Sequence, residues 1–248
     1  MNAKSKIYFA SDFHLGVPNR EESLLREKDV VRWLNTIKSD ASAIYLLGDV
    51  FDYWWEFKEV VPKGYTRLLG CLSEICDSGI PVHFFTGNHD IWTFGYLEEE
   101  IGMKVHRKPI EIEIQGKKMF IGHGDGLGPG QIDYKIMKAV FHHPLSQWVW
   151  SRLHPNFSVG LGNYFSRRSR LAHSEDDQAF HGEEEHLTQF CKSKLKKSDI
   201  DFFVFGHRHL VLDIDLGNNS RYYNIGEWVF HKSYGIMENG KFELCAFK

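Results

Sequence analysis

The sequence predicts an α/β fold in which helices cover two sheets, and three observations lead there. From Lys6 to Asp90, short apolar runs alternate with a segment of helical periodicity. After residue 104 the pattern changes to strict alternation, and the last fifty residues return to short strand-like runs. Five of these runs end in His, Asp or Asn, four of them directly beside a glycine.

Taken in order, KIYFASDFH (6–14) is a short apolar run that closes in polar residues. Residues 21–38 place Leu24, Leu25, Val30, Val31, Leu34 and Ile37 at helical spacing. SAIYLLGDVFD (42–52) is a second apolar run, ending in Gly48-Asp49. A helix over about 64–77 precedes IPVHFFTGNHD (80–90), giving strand–helix–strand–helix–strand with functional residues at strand C-termini. PIEIEIQGKKMFIGHGD (109–125) alternates and carries Gly116, so it reads as a hairpin. Residues 131–197 read as helical. IDFFVFGHRHLVLDIDL (200–216), SRYYNIGEWVF (220–230) and SYGIMENGKFELCAF (233–247) read as strands, the last turning at Asn239-Gly240. The expected organisation is one domain over 1–248 with a helical insertion, a lid, at 131–198.

The totals bound the function. With 248 residues, 42% hydrophobic and 25% charged, the chain can bury a full core. A net charge of -3 gives no global reason for nucleic-acid binding. Cys71, Cys76, Cys191 and Cys245 form no C-x-x-C pair and read as reduced thiols of a cytosolic protein. No apolar run reaches the length of a signal peptide core or a membrane span, so the expectation is a soluble protein or one lying on a membrane surface.

The strand ends are Asp12-Phe13-His14, Gly48-Asp49, Gly87-Asn88-His89-Asp90, Gly122-His123-Gly124-Asp125 and Gly206-His207-Arg208-His209. A single strand-end Asp is commonly a turn or a cap, and a single His a core or surface residue. Their joint recurrence points to a shared ligand. On extended backbone, residues i and i+2 face the same side, so Asp12 converges with His14 and His207 with His209. Carboxylate, imidazole and one amide without cysteine suit manganese, iron or zinc in a two-metal site. Two close cations lower the pKa of a bridging water and neutralise charge on phosphoryl oxygens.

The order D-x-H, G-D, G-N-H, G-H, G-H-x-H, spanning Asp12 to His209, resembles the calcineurin-like metallophosphoesterase family. The resemblance implies a four-layer α/β/β/α sandwich with two divalent ions at the strand ends. It implies that Asp12, His14 and His209 bind one ion, that Asn88, His123 and His207 bind the other, and that Asp49 bridges them. Attack would come from metal-bound hydroxide. His89 would steady the phosphate or protonate the leaving group, and Asn88 and His207 would also face the phosphate.

The insertion should carry substrate preference. From Tyr134 through Ser174 there is no Asp or Glu, whereas 33 acids in 248 residues predict about five in a stretch of that length. The stretch holds Lys135, Lys138, Arg152, Arg167, Arg168 and Arg170, among large apolar residues including Trp148 and Trp150. Three readings stand: a helical hairpin packed on the core, a nucleic-acid surface, or an interfacial helix pair that meets anionic lipid and accepts acyl chains. The aromatic and basic mixture favours lipid, and the net charge disfavours nucleic acid.

His123-Gly124-Asp125, Tyr134, His143-Pro144 and the basic segment around Ser169 make this region similar to that of the bacterial UDP-2,3-diacylglucosamine diphosphatases. That resemblance implies cleavage of an acylated sugar nucleotide to UMP and an acylated glucosamine 1-phosphate, with Mn2+. It places the protein in the cytoplasm of a Gram-negative bacterium, peripheral on the inner membrane, in lipid A synthesis. By position, Tyr134, Arg168, Ser169, Arg170 and His173 would contact substrate. His89 stands where the diphosphatase pattern has arginine, so a metal-dependent phosphodiesterase or phosphatase acting on another phosphoester is the alternative. FDYWWEF (51–57) reads as core and cleft wall, with Trp54 and Trp55 able to stack a base. GEEEH (182–186) reads as a solvated helix face, and Asp125 either orients His123 or touches substrate.

Overall fold

In the computed structural model, residues 5–130, 132–173 and 179–248 are described, excepting the side chains at 133 and 169–173. The first half runs β1 (Lys6–Ala10), α1 (Arg20–Ile37), β2 (Ala41–Leu46), α2 (Thr66–Asp77), β3 (Val82–Phe85), α3 (Tyr96–Glu99), β4 (Lys104–His106), β5 (Ile110–Ile114) and β6 (Lys117–Ile121). Then come α4 (Ile132–His142), α5 (Pro144–Ser151), α6 (Pro155–His173), α7 (His186–Leu195), β7 (Phe202–Phe205), β8 (Val211–Gly217), β9 (Ser220–Ile225), β10 (Ser233–Glu238) and β11 (Lys241–Ala246).

Two sheets form, in the orders β11-β10-β1-β2-β3-β4 and β5-β6-β7-β9-β8. Strand alternation sorts their side chains into three apolar layers. Tyr8, Ala10, Ile44, Leu46, Val82 and Phe84 pack on Trp33 and Leu34 of α1 and Leu68 and Leu72 of α2. Phe9, Tyr45, Phe85 and Met237 face Met119, Ile121, Val204 and Ile225 of the second sheet. Phe120, Phe203, Phe205 and Tyr222 pack outward on Leu187 and Cys191 of α7. The result is the four-layer α/β/β/α sandwich. It also divides the region expected as one insertion: α7 belongs to the core because its apolar stripe covers the second sheet, whereas α4–α6 extend from it.

Local chemistry explains the boundaries. Asn19 caps α1, its side chain accepting from Glu22 N at 3.0 Å, so that helix starts one residue before the sequence reading placed it. Tyr65 offers α2 no side-chain cap. Instead Glu27 of α1 accepts from Arg67 N at 2.9 Å and Leu68 N at 3.2 Å, which locks the two helices together. The hairpins turn at Gln115-Gly116 and Asn239-Gly240, each pair with positive φ, as two-residue turns require.

Helices α4–α6 meet the rest of the chain at the FDYWWEF segment and at Trp92. Trp150 Nε1–H donates to Tyr53 Oη at 2.9 Å, and Trp92 Nε1–H donates to the Phe141 carbonyl at 3.2 Å. Gly162 lets α6 lie on the Tyr53 ring, where any Cβ would collide. Trp54 and Trp55 are buried, at 0% and 2% exposure, which removes them as surfaces for a base. No helix among the described residues is long and apolar enough to cross a membrane.

At the rim of the first sheet, His83 stacks on Tyr45 with centroids 4.3 Å apart, and its Nδ1 lies 2.9 Å from His106 Nε2. Burial, then His106 and Lys104, push His83 down to about 4 from an ordinary 6.5. The stability that this neutral ring contributes is intact above pH 6.5 and is lost as pH falls through about 4. Urea midpoints measured from pH 7 to 4 should therefore fall more steeply for the wild type than for His83→Gln; parallel profiles would contradict the assignment.

Candidate metal centre

The C-terminal ends of β1, β2, β3, β6 and β7 meet at one edge of the sandwich. Pairing continues past the strands: Asp12 N–H donates to the Gly48 carbonyl at 3.0 Å and His14 N–H to the Asp49 carbonyl at 2.9 Å. This fixes the two loops in register. Arg26 of α1 braces the first loop from below, its guanidinium donating to the carbonyls of Phe13 at 2.6 Å, His14 at 2.7 Å, and Val17.

The loops are not extended. Asp12, His14, Asp49, His207 and His209 all have positive φ, between 44° and 69°. Non-glycine residues rarely adopt that region, and holding them there costs free energy that the surroundings must supply. Asp12 and His14 do converge, but through this left-handed backbone rather than through strand alternation, whereas His207 faces His123 and His209 faces His14. The glycines serve close approach. A Cβ on Gly206 would collide with Ser11 Oγ and the Asp12 carboxylate, and one on Gly87 with the Asp49 carboxylate.

Side chains from the five loops then fall into contact. His14 Nε2 lies 3.0 Å from His209 Nε2 and 3.5 Å from Asp12 Oδ1, which is 3.2 Å from His209 Nε2. Asp49 Oδ2 lies 3.3 Å from His123 Nε2 and 3.9 Å from the Nε2 atoms of both His14 and His89. Asn88 Oδ1 is 3.2 Å from His123 Nε2, and the rings of His123 and His207 are 5.0 Å apart. Three overlapping groups could each hold an ion: Asp12, His14 and His209; His14, Asp49 and His89; and Asp12, Asp49 and His123.

These residues fit divalent cations. Asp12 and Asp49 are buried, and Asp12 Oδ1 has no hydrogen-bond partner among the described residues. The other Asp12 oxygen accepts from Ser11 Oγ and from His207 N at 3.0 Å, so Oδ1 alone points into the cluster. Burial alone would raise the Asp12 carboxyl, but His14 and His209 outweigh it and hold it well below the usual range. For Asp49, burial is likewise overridden, first by the charge of His123 and then by that of His89, so it too is lowered. Burial works against charge on His123, yet Asp49 and Asp12 push it up to about 10. His207 is pushed down to about 3 by burial and by His123. The cluster thus demands positive charge, and a divalent ion would take the place of the His123 proton.

The surroundings aim these groups. His123 Nδ1–H donates to the Leu47 carbonyl at 2.7 Å, which turns Nε2 to the centre. His89 N–H donates to Asp49 Oδ1 at 2.9 Å. Asp90 lies outside the cluster and accepts from Gly87 N at 2.7 Å and Val50 N at 2.8 Å, tying two loops together. Burial, then Asp49, push its carboxyl up to about 7.

Three functional contacts escaped the sequence reading. Ser166 of α6 is buried and donates to Asp52 Oδ2 at 2.7 Å, while its Oγ lies 2.9 Å from His89 Nδ1. Asp52 is also 3.5 Å from His14 Nδ1, so one carboxylate joins the insertion to two residues of the centre. Arg208, between His207 and His209, is buried and pairs with Glu185 at 2.6 Å. Glu185 is therefore not part of a solvated face: it is 2% exposed and anchors the last loop. Only the serine-and-arginine-rich run 166–170 offered a signal for the first of these.

The expected substrate contacts divide. Tyr134 Oη–H donates to Asp125 Oδ2 at 2.6 Å, and Lys138 pairs with the same carboxylate. Asp125 thus holds α4, and the Nδ1 of His123 is served by Leu47 instead. Arg168 is exposed on α6. The side chains of Ser169, Arg170 and His173 lie outside the described residues.

The model of the calcineurin-like phosphoesterases matches residues 5–211, and the chain belongs to that family. It is a metal-dependent hydrolase that uses divalent ions. Over 248 residues it is 37% identical to UDP-2,3-diacylglucosamine hydrolase of Porphyromonas gingivalis, which covers 95% of each chain. The protein of the same name from Edwardsiella ictaluri is 25% identical over 229 residues, 91% of this chain and 85% of that one. Among solved structures, the phosphoesterase YfcE from E. coli is similar over 98% of this chain and 100% of its own, at 17% identity and a TM-score of 0.46.

Gly206→Ala should lower the urea midpoint by an amount equivalent to about 1–3 kcal/mol and reduce bound metal measured by plasma mass spectrometry. Gly160→Ala, inside α6 and with a Cβ that would meet nothing within 4 Å, should hold or raise the midpoint and leave bound metal unchanged. Equal effects at both glycines would contradict the close-approach argument.

Proposed function

We propose that this chain hydrolyses the pyrophosphate of UDP-2,3-diacylglucosamine, releasing UMP and acylated glucosamine 1-phosphate. The observation that carries the reading is the apolar surface of α4–α6. Ile136, Val140, Leu145, Trp148, Phe157 and Phe165 are all more than half exposed, on an insertion fastened beside the candidate centre through Ser166. So many large apolar side chains left exposed on three successive helices suit an interaction surface. Acyl chains are the occupants that suit both these residues and the names of the relatives. The same face, with Arg152 stacked over Trp148, suits contact with the cytoplasmic surface of the inner membrane.

In this reading Asp12, His14 and His209 hold one divalent ion, Asn88, His123 and His207 the second, and Asp49 stands between them. Manganese suits the donor set best, with iron and zinc as alternatives. When bound, the ions would supply Lewis acidity, acidifying a water and neutralising phosphoryl charge. The chain's own residues do the rest. The Asp52 carbonyl accepts from His89 Nδ1–H at 2.8 Å, which turns Nε2 towards Asp49 and the phosphate. From there His89, as the imidazolium, hydrogen-bonds the phosphoryl oxygen or protonates the leaving one. Asn88 and His207 line the same phosphate position. Arg168, Ser169, Arg170 and His173 of α6, with Tyr134 of α4, are the proposed contacts to the sugar phosphate. The working unit is a single domain whose lid is α4–α6.

A second reading, a phosphodiesterase for other phosphoesters, is favoured by one residue: His89, a proton donor beside the centre. The two separate by assay. Purified protein with Mn2+ should release UMP from UDP-2,3-diacylglucosamine in mixed micelles and lose that activity on chelation. His89→Arg should retain UMP release while cleavage of bis-p-nitrophenyl phosphate collapses. Fast cleavage of the simple diester with no UMP release from the lipid would establish the second reading instead.

A further inference from the structure

A cleft of about 460 Å³ opens on the α4 side of the centre, and no role assigned above uses it. Its walls are the end of β3, the segment His106–Pro109, the turn at 123–127 and one face of α4. The volume falls in the range of small-molecule sites, about 300–1,000 Å³. His123, a candidate metal ligand, and Asp125 are part of its lining, so it adjoins the candidate metal centre.

Its charge runs against that of the chain. The protein carries a net charge of -3, yet the lining holds Arg107, Lys108, Lys135 and Lys138 against the single carboxylate of Asp125. Asp125 is answered by Lys138, and Glu98, outside the lining, by Arg107 at 2.9 Å. Lys108 and Lys135 are exposed and pair with no carboxylate among the described residues; Lys135 Nζ donates to the Gly128 carbonyl at 2.9 Å. On α4, residues 135, 138, 139 and 142 fall on one helical face towards the cleft, while Ile136, Met137 and Val140 form an exposed apolar face. One helix therefore separates a cationic compartment from an apolar one.

We infer that this cleft is the nucleotide subsite, taking the nucleoside 5′-phosphate half of the substrate with Lys108 and Lys135 on its anionic oxygens. The inference rests on the function proposed above. A substrate with a charged nucleotide at one end and acyl chains at the other must place its scissile link at the centre and one half on each side. A cationic cleft repels acyl chains and attracts phosphate. The apolar faces of α4–α6 do the reverse. Direction of binding is thus set by α4.

The test is calorimetric titration of the full-length, Mn2+-loaded protein with UMP, glucosamine 1-phosphate and inorganic phosphate. The double substitution Lys108→Ala and Lys135→Ala removes two exposed side chains, and circular dichroism checks that the fold is kept. UMP binding should weaken about tenfold or more, with glucosamine 1-phosphate and inorganic phosphate held as in the wild type. Unchanged UMP affinity in the variant, no UMP binding to the wild type, or weakening of glucosamine 1-phosphate in place of UMP would each overturn the assignment. Turnover of UDP-2,3-diacylglucosamine by the wild type is measured separately. Lysine-dependent UMP binding without that turnover would uphold the cleft and overturn the proposed reaction.

Discussion

Two carboxylates, Asp12 and Asp49, are buried at the seam between the sheets, and much of the architecture answers their charge. A buried carboxylate without a partner is costly enough that it would normally take up a proton. Here both stay ionised, because His14, His209, His123 and His89 lie around them. That arrangement fixes what the loops must do. Five residues accept left-handed backbone, and Gly87 and Gly206 give up their side chains so that the carboxylates fit. Arg26 and Asp90 brace the loops from outside the cluster. The strain is stored where cations would be bound, as expected of a site organised before its ligand arrives.

The same constraint connects the insertion to the chemistry. Asp52 faces His14, accepts from Ser166 and, through its carbonyl, positions His89. Movement of α6 would therefore be felt at the centre directly. In the proposed function this gives the lid a second purpose beyond covering acyl chains: its seating orients the residue that meets the phosphate. Helix α4 extends the arrangement, with Tyr134 and Lys138 held by Asp125 next to His123.

The layers and the residues of the centre were legible in the sequence because each depends on a local pattern. Apolar runs identified β1, β2 and β3, alternation identified the β5–β6 hairpin, α1 and α2 were placed to within two residues, and Asn-Gly marked a hairpin, while the short α3 and β4 carried no such pattern. His, Asp or Asn at five strand ends, four of them beside a glycine, marked the residues that the fold gathers. What was not legible depends on contacts distant in sequence. Positive φ at Asp12 and His14 arises from pairing with the loop after β2, so alternation gave the right convergence by the wrong route. Glu185 looks like one acid in a solvated run until Arg208 is placed beside it. Ser166 lies 114 residues from Asp52, and apart from the serine-and-arginine-rich run 166–170 nothing near either announces the contact. α7 resembled the insertion helices until its stripe met Phe203 and Phe205.

In the proposed function, this left-handed loop geometry is a ready cradle for two ions. Anomalous diffraction from crystals soaked in Mn2+ measures it directly. The account predicts two peaks, one on Asp12, His14 and His209 and one on Asn88, His123 and His207, both touching Asp49, with the five positive φ angles unchanged. A single peak, ions held elsewhere, or loops that refold on binding would contradict it.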